Sequence, residues 1–209
     1  MHYVSVTQSA KRPFARELRL FRDHGGVMRM AAALRGGVSR TTLYAMRDAG
    51  ILEPLSRGLY RLTELDPIGN PDLVTVAARI PQGVLCLISA LAFHELTTQV
   101  PHVIDIALER SSRKPRLDYP PTRFFWFSGP AFHEGITTRR LDSISVRVYD
   151  PEKTIVDCFR YRSEVGMDVV LEALRLWREQ RPRKLDTLLR YARMRRVERN
   201  LRPYLQGLP

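Results

Sequence analysis

Glycine punctuates the chain between His24 and Leu62: Gly25-Gly26, Gly36-Gly37, Gly50 and Gly58. Because glycine reaches left-handed backbone without steric cost, it ends helices, and this spacing leaves room for helices of about three turns at most. Phe14, Leu18 and Phe21 form an apolar stripe that predicts a helix over 14–24. Val27, Met30, Ala31 and Leu34 recur at i, i+3, i+4 and i+7 and predict a second helix beginning at Val27. In the third segment Ser39 is an N-cap residue and Gly50 a C-terminal stop. Leu43 and Met46 share one face there, with Arg40, Thr41, Tyr44 and Arg47 on or near the other. Beyond it, "ILEPLSRGLYRL" reads as two short strands turning at Ser56-Arg57-Gly58. Three short helices followed by a hairpin predict a winged helix-turn-helix.

The remainder predicts a different class. "TELDPIGNPD" at 63–72 carries two prolines, a glycine and three acidic residues, and the boundary between a first domain over 1–65 and a second over 72–209 is expected within it. Residues 73–80 read as a helix, "SALAFHEL" as another, and "HVIDIAL" and "TRFFWFS" as strands. "GITTRRL" and "ISVRVYD" read as a hairpin about Asp142-Ser143. Asp150 before Pro151 is a well-marked helix start. The segment 166–209 is helical by pattern, with stripes through Met167, Val170, Leu171, Leu174 and Trp177, then Leu185, Leu188, Leu189 and Ala192, then Val197, Leu201 and Tyr204. The fold class expected is α+β: a winged helix-turn-helix followed by a mixed α+β domain ending in helices.

Charge identifies the class of partner. The 209 residues carry a formal net charge of +12, which suits a polyanion, either nucleic acid or an anionic membrane surface. Residues 1–63 hold 11 Lys and Arg against 4 Asp and Glu, residues 64–165 hold 12 against 13, and residues 166–209 hold 11 against 5. The basicity therefore lies at the two ends. The longest apolar run, "VLCLISALAF", falls short of the ~20 residues that span a bilayer, and the N-terminus has no signal-peptide pattern. Cys86 and Cys158 are expected as buried, reduced thiols of a cytoplasmic protein.

Catalytic motifs were sought and not found. His94-Glu95 and His133-Glu134 lack the second histidine of a zincin helix, and no P-loop, G-x-G-x-x-G or G-x-S-x-G occurs. Asp105, Glu109, Asp150, Glu152 and Asp157 with Lys153 are the only residues that suggest a metal-dependent nuclease, and ion pairs or a helix cap explain them more simply. No catalytic residue, metal or cofactor is expected. Phe124, Phe125, Trp126 and Phe127 imply a strand apolar on both faces. A central strand covered on both sides is expected, with an exposed, subunit-binding face as the alternative.

The helix-turn-helix, "SRTTLYAMRDAGILEPLSRGLYRL", the "SALAFHEL" helix and "DPEKTIVDCFRYR" together resemble the AbiEi antitoxins over most of residues 14–205. These are the transcriptional-repressor halves of bacterial type IV toxin–antitoxin and abortive-infection (phage-defence) operons. The resemblance implies an N-terminal domain that represses its own operon. It also implies a C-terminal domain that counteracts a nucleotidyltransferase-type toxin, opposing its effect without the need for a stable complex.

A DNA-binding reading gives each residue a role. The helix opening at Ser39 enters the major groove, with Arg40 reading a guanine, and Ser39, Thr41, Thr42 and Tyr44 meeting phosphate or a thymine methyl. Arg47 faces base or backbone, while Arg57 at the wing tip and Arg61 on the return strand reach a flanking phosphate or the minor groove. Lys11, Arg12, Arg16, Arg19 and Arg22 add phosphate contacts. Arg190, Arg193, Arg195, Arg196, Arg199 and Arg202 form a second basic surface. The expected partner is double-stranded DNA carrying an inverted repeat in the protein's own promoter. A homodimer would set its recognition helices about 34 Å apart. The competing classes are a module that neutralises a toxin by direct binding and, less favoured, a metal-dependent nuclease.

Overall fold

The structure, a computed structural model, describes residues 12–65, 69–141 and 144–206, apart from the side chain of Arg12. Lys11 and Asp142-Ser143, where a hairpin turn was expected, lie outside the described residues. The chain separates into two compact units, one running to Arg79 and taking in Arg140–Ser145, the other formed by Ile80–Arg139 and the residues from Val146 on.

In the first unit a 3₁₀ turn, Arg12–Phe14, leads into α1 (Ala15–Asp23). There follow β1 (Val27–Arg29), α2 (Met30–Arg35), α3 (Arg40–Asp48), β2 (Leu52–Ser56), β3 (Leu59–Leu62) and α4 (Pro71–Arg79). The three strands form a sheet in the order β1-β3-β2, antiparallel throughout. This corrects the second helix predicted from Val27. Val27 and Met28 are buried in a strand whose Val27 pairs with Arg61, and the helix begins only at Met30. The i, i+3, i+4 spacing was accidental across the first turn: Ala31 is exposed, and Ala33 is the buried alanine.

Glycine ends all three short helices by one device. After α1, α2 and α3 the residues Gly25, Gly37 and Gly50 have φ of 72°, 87° and 68°. Each donates its N–H to a carbonyl three residues back, and the next residue donates to one five back, as Ile51 does to Met46. The chain thereby reverses in two residues. Leu18, Phe21, Met28, Ala33, Val38, Leu43, Met46, Ile51, Leu52, Tyr60 and Leu62 close into one core. Pro54, which lacks an N–H, sits in the edge strand β2, where a missing ladder bond is tolerated.

The second unit is built on a five-stranded mixed sheet. Its strands are β4 (Val84–Leu85), β5 (Ile104–Glu109), β6 (Thr122–Phe127), β7 (Ile136–Leu141) and β8 (Ile144–Tyr149), in the order β6-β5-β4-β8-β7. Its helices are α5 (Leu87–Phe93), α6 (Pro130–His133), α7 (Pro151–Arg160), α8 (Arg162–Val165), α9 (Met167–Glu179), α10 (Leu185–Met194) and α11 (Glu198–Gln206). Asp150 caps α7 through its side chain, which accepts from the Lys153 amide at 2.8 Å. Helix α7 packs against α5, α9 and α10, and every residue from Glu152 to Phe159 is buried.

The aromatic strand is corrected too: β6 lies at the sheet edge. Phe125 and Phe127 are buried against the rings of Tyr149 and Tyr161, whereas Trp126 is 37% exposed and donates its indole N–H to the Ser112 carbonyl. Cys86 and Cys158 are free and buried, and burial pushes both thiols well above their ordinary range. Together the two units make an α+β fold in which the N-terminal unit is a winged helix-turn-helix.

Candidate nucleic-acid interface

Helix α3 is anchored by Leu43 and Met46, both wholly buried, so the opposite face is turned to solvent. Ser39 and Thr42 are spent on its cap: the Ser39 hydroxyl accepts from the Thr42 amide at 3.0 Å and pairs with the Thr42 hydroxyl at 2.8 Å. Arg40 and Thr41 are exposed in the first turn, where a recognition helix meets base edges. Tyr44, 40% exposed, lies one turn further along. Arg47 is exposed, but its guanidinium bonds Asp48 at 2.7 and 2.9 Å and stacks 5.1 Å from the centre of the Tyr44 ring. The available donors are therefore Arg40, Thr41 and Tyr44, with Arg47 half neutralised.

The wing divides its two arginines. Arg57 stands exposed beside Gly58, whose φ of 73° makes the turn. Arg61 is the correction. Its side chain is only 5% exposed and is ion-paired with Glu53, directly across the ladder, at 2.6 Å. Alternation places Tyr60 and Leu62 toward the core and Leu59 and Arg61 on the other face. That face would be open in a bare wing, but α4 packs on β2, and Leu59 and Arg61 are both buried. Arg61 is thus a structural residue of the sheet, withdrawn from any groove.

Two cations that the sequence reading missed, Arg29 and Arg79, gather near the wing. Arg79 donates to the Arg57 carbonyl at 2.9 Å, and Arg29 donates to the Arg79 carbonyl at 3.1 Å. Partial burial, and then the like charges of Arg79 and Arg35, hold the Arg29 guanidinium below its ordinary value. A signal existed in Arg29 and Arg79, since each ends an element flanking the hairpin. The pairing of β1 with β3 and the packing of α4 on β2 together bring them into contact. Among the supplementary cations, Arg16 and Arg19 are exposed, while Arg22 is held by Glu64 at 2.8 Å.

The second basic surface is not continuous. Arg190 is ion-paired with Glu134, Arg193 with Glu198 at 3.4 Å, and Arg202 with Glu198 at 2.7 Å. Arg195 turns inward: its side chain is 13% exposed and meets Asp157 at 2.7 Å. Arg196 and Arg199 remain exposed.

The acidic residues weighed for catalysis are each engaged. Asp105 is held by Arg123 at 2.9 and 3.2 Å, yet burial still raises its pKa. Asp150 accepts from Tyr191 at 2.8 Å, and Glu152 accepts from Trp177 and the Lys184 amide, both at 3.1 Å. Glu109 faces His133 at 3.2 Å. Asp157 is enclosed with Lys153, whose ammonium also donates to the Ala131 carbonyl and lies 4.0 Å from the centre of the Tyr149 ring. Burial lowers the Lys153 pKa against the pull of Asp157. Among the described residues no group of three or more His, Cys, Asp or Glu is placed to hold a metal ion. Nor is any helix long and apolar enough to cross a membrane.

The crystal structure of RV2827C protein from Mycobacterium tuberculosis matches with a TM-score of 0.54 at 18% identity, over 94% of this chain and 72% of that one. At that identity the likeness is one of fold. No curated protein matches the sequence. Residues 15–63 of the N-terminal unit match a described family, the transcriptional regulators known as AbiEi antitoxins, the resemblance that the residues had suggested.

Proposed function

We propose that the chain is a DNA-binding repressor of its own operon and the antitoxin of a type IV toxin–antitoxin pair. In this reading it counteracts a nucleotidyltransferase-type toxin and acts in the cytoplasm by binding, without catalysis. The observation that carries the DNA-binding part is the solvent face of α3. There Arg40, Thr41 and Tyr44 stand opposite a face sealed by Leu43 and Met46, inside a segment that matches a family of transcriptional regulators.

The division of labour follows from exposure. Arg40 supplies a planar, bidentate donor fork suited to the N7 and O6 acceptors of guanine. Arg57, Arg29 and Arg79 supply phosphate contacts that set register without reading sequence. Two copies on an inverted repeat would double both terms. Opposition to the toxin rests on the family match alone.

The test is fluorescence anisotropy of the purified protein against the DNA upstream of its own gene and a scrambled duplex, at two salt concentrations, with Arg40→Ala in parallel. Preference for the upstream DNA that falls by about 1–3 kcal/mol in the variant supports sequence reading by α3. Equal, salt-sensitive binding to both duplexes overturns it and leaves only a polyanion footprint.

A further inference from the structure

The inward turn of Arg195 opens a feature unrelated to α3. At the end of α7, the start of α8 and the link between α10 and α11, a concavity of about 370 Å³ is lined by Arg160, Arg162, Arg195, Arg196 and Asn200, with no acidic side chain on its wall. Four guanidiniums on solvated helix faces would point apart; here they share one hollow.

Two of them are fixed in place. Arg195 is held by Asp157 and stacks 4.7 Å from the Phe127 ring centre. Arg162 donates to the Phe159 carbonyl at 3.1 Å and lies 5.0 Å from the centre of that residue's ring. The other two, Arg160 and Arg196, are exposed and make no ion pair among the described residues. Asp157, which pairs with Arg195, also serves Lys153, and no carboxylate lines the hollow, so its wall carries net positive charge.

The backbone adds an independent observation. Helix α10 ends with Arg196 donating to the Arg193 carbonyl and Val197 to the Ala192 carbonyl, the same pattern that glycine completes after α1, α2 and α3. Arg196 has φ of 57°, a left-handed conformation that glycine adopts without strain. Such strained backbone clusters at ligand-binding sites.

We propose that this concavity is a binding site for a phosphate group, with Arg162 and Arg195 as its fixed donors and Arg160 and Arg196 as the closing pair. A single carboxylate offers one charge and two oxygens, too few for four guanidinium forks. A phosphate monoester or pyrophosphate offers three or more oxygens and about two charges or more. The group comes either from a free nucleotide or from the 5′-phosphorylated end of a nucleic-acid strand, and the site shares no residue with the α3 surface.

Full-length protein is titrated with pyrophosphate by calorimetry at constant ionic strength, and with a short 5′-phosphorylated duplex and its unphosphorylated twin. The wild type, Arg160→Ala, Arg196→Gly and Arg40→Ala are compared. Saturable pyrophosphate binding, weakened about tenfold in Arg160→Ala and Arg196→Gly and unchanged in Arg40→Ala, supports the site with a free phosphate as ligand. Failure with pyrophosphate, but tighter binding of the 5′-phosphorylated duplex than of its twin, with that difference lost in the same two variants, supports it with a strand end as ligand. Arg196→Gly is expected to melt no lower than wild type, since it relieves strain, so a loss of binding there is not a loss of fold. Absence of both effects, or binding undiminished in the two variants, overturns the proposal. Arg40→Ala reports on the repressor reading separately.

Discussion

Two arginines four positions apart in the wing have opposite fates, because Arg57 sits in the exposed turn while Arg61 lies in a strand buried on both faces. Arg57 is exposed at the turn, and its replacement by alanine is expected to lower the slope of log affinity against log salt by about 1 without changing the melting temperature. Arg61 is buried across from Glu53, and Arg61→Ala is expected to destabilise the N-terminal unit by about 1–3 kcal/mol while leaving the salt slope of the folded protein unchanged. Chemical denaturation and salt-dependent anisotropy on the two variants separate these outcomes. A reversed result would put Arg61 in the groove. From residue types alone both arginines looked alike. Burial of Arg61 depends on α4, which lies beyond the hairpin in the chain and packs on β2.

At the level of the element, the short helices are set by their ends. Ser39 satisfies the Thr42 amide, and Ser39→Ala is expected to cost about 1 kcal/mol through the lost cap. If α3 lies in a groove, the same variant also weakens operator binding by loosening the first turn. Urea unfolding of the variant checks the first effect, and a midpoint equal to wild type would contradict it. Glycine marked the ends of α1, α2 and α3 in the sequence, and the structure places each at positive φ. It did not mark the ends of α5 and α10, where Glu95 and Arg196 take the same conformation at φ of 57°. Non-glycine residues carry no such signal, since nothing in their chemistry requests that conformation.

Across the whole molecule, charges drawn into the second unit set its response to acid and to substitution. His94 is half-buried and donates to the Tyr149 carbonyl at 2.7 Å. Burial lowers its pKa, ahead of the opposing pull of that bond and of Asp150 and Glu152. The neutral ring is therefore favoured in the fold. The stability it contributes is complete above the ordinary imidazole value of about 6.5 and is lost as pH falls through that value toward the lower folded one. Asp105 and Asp150, raised by burial, act in the opposite sense at lower pH. The difference in melting temperature between wild type and His94→Gln, followed from pH 8 to 5, should shrink as pH falls; a constant difference would refute the assignment. Asp157→Asn leaves Lys153 and Arg195 without their shared counter-charge and is expected to cost about 3–5 kcal/mol in a thermal or urea unfolding measurement.

Sequence alone determined what local chemistry can encode. Glycine spacing, the Ser39 and Asp150 caps and the apolar stripes placed most helices and strands, and the amphipathic α3 announced itself because its two faces lie within nine residues. It misread Val27–Arg29, since three apolar-led residues fit a helical period as well as a strand until β3 is there to pair with them. Only tertiary structure decided which cations are free. Arg61 and Arg195 lost their solvent to elements distant in the chain, and Arg29 gained Arg79 as a neighbour through a sheet and a helix end. It likewise brought Arg160 and Arg162 to Arg195 and Arg196, more than thirty residues away in the sequence. A charge is written in one residue, but its exposure and its partners are set by whatever the fold packs beside it.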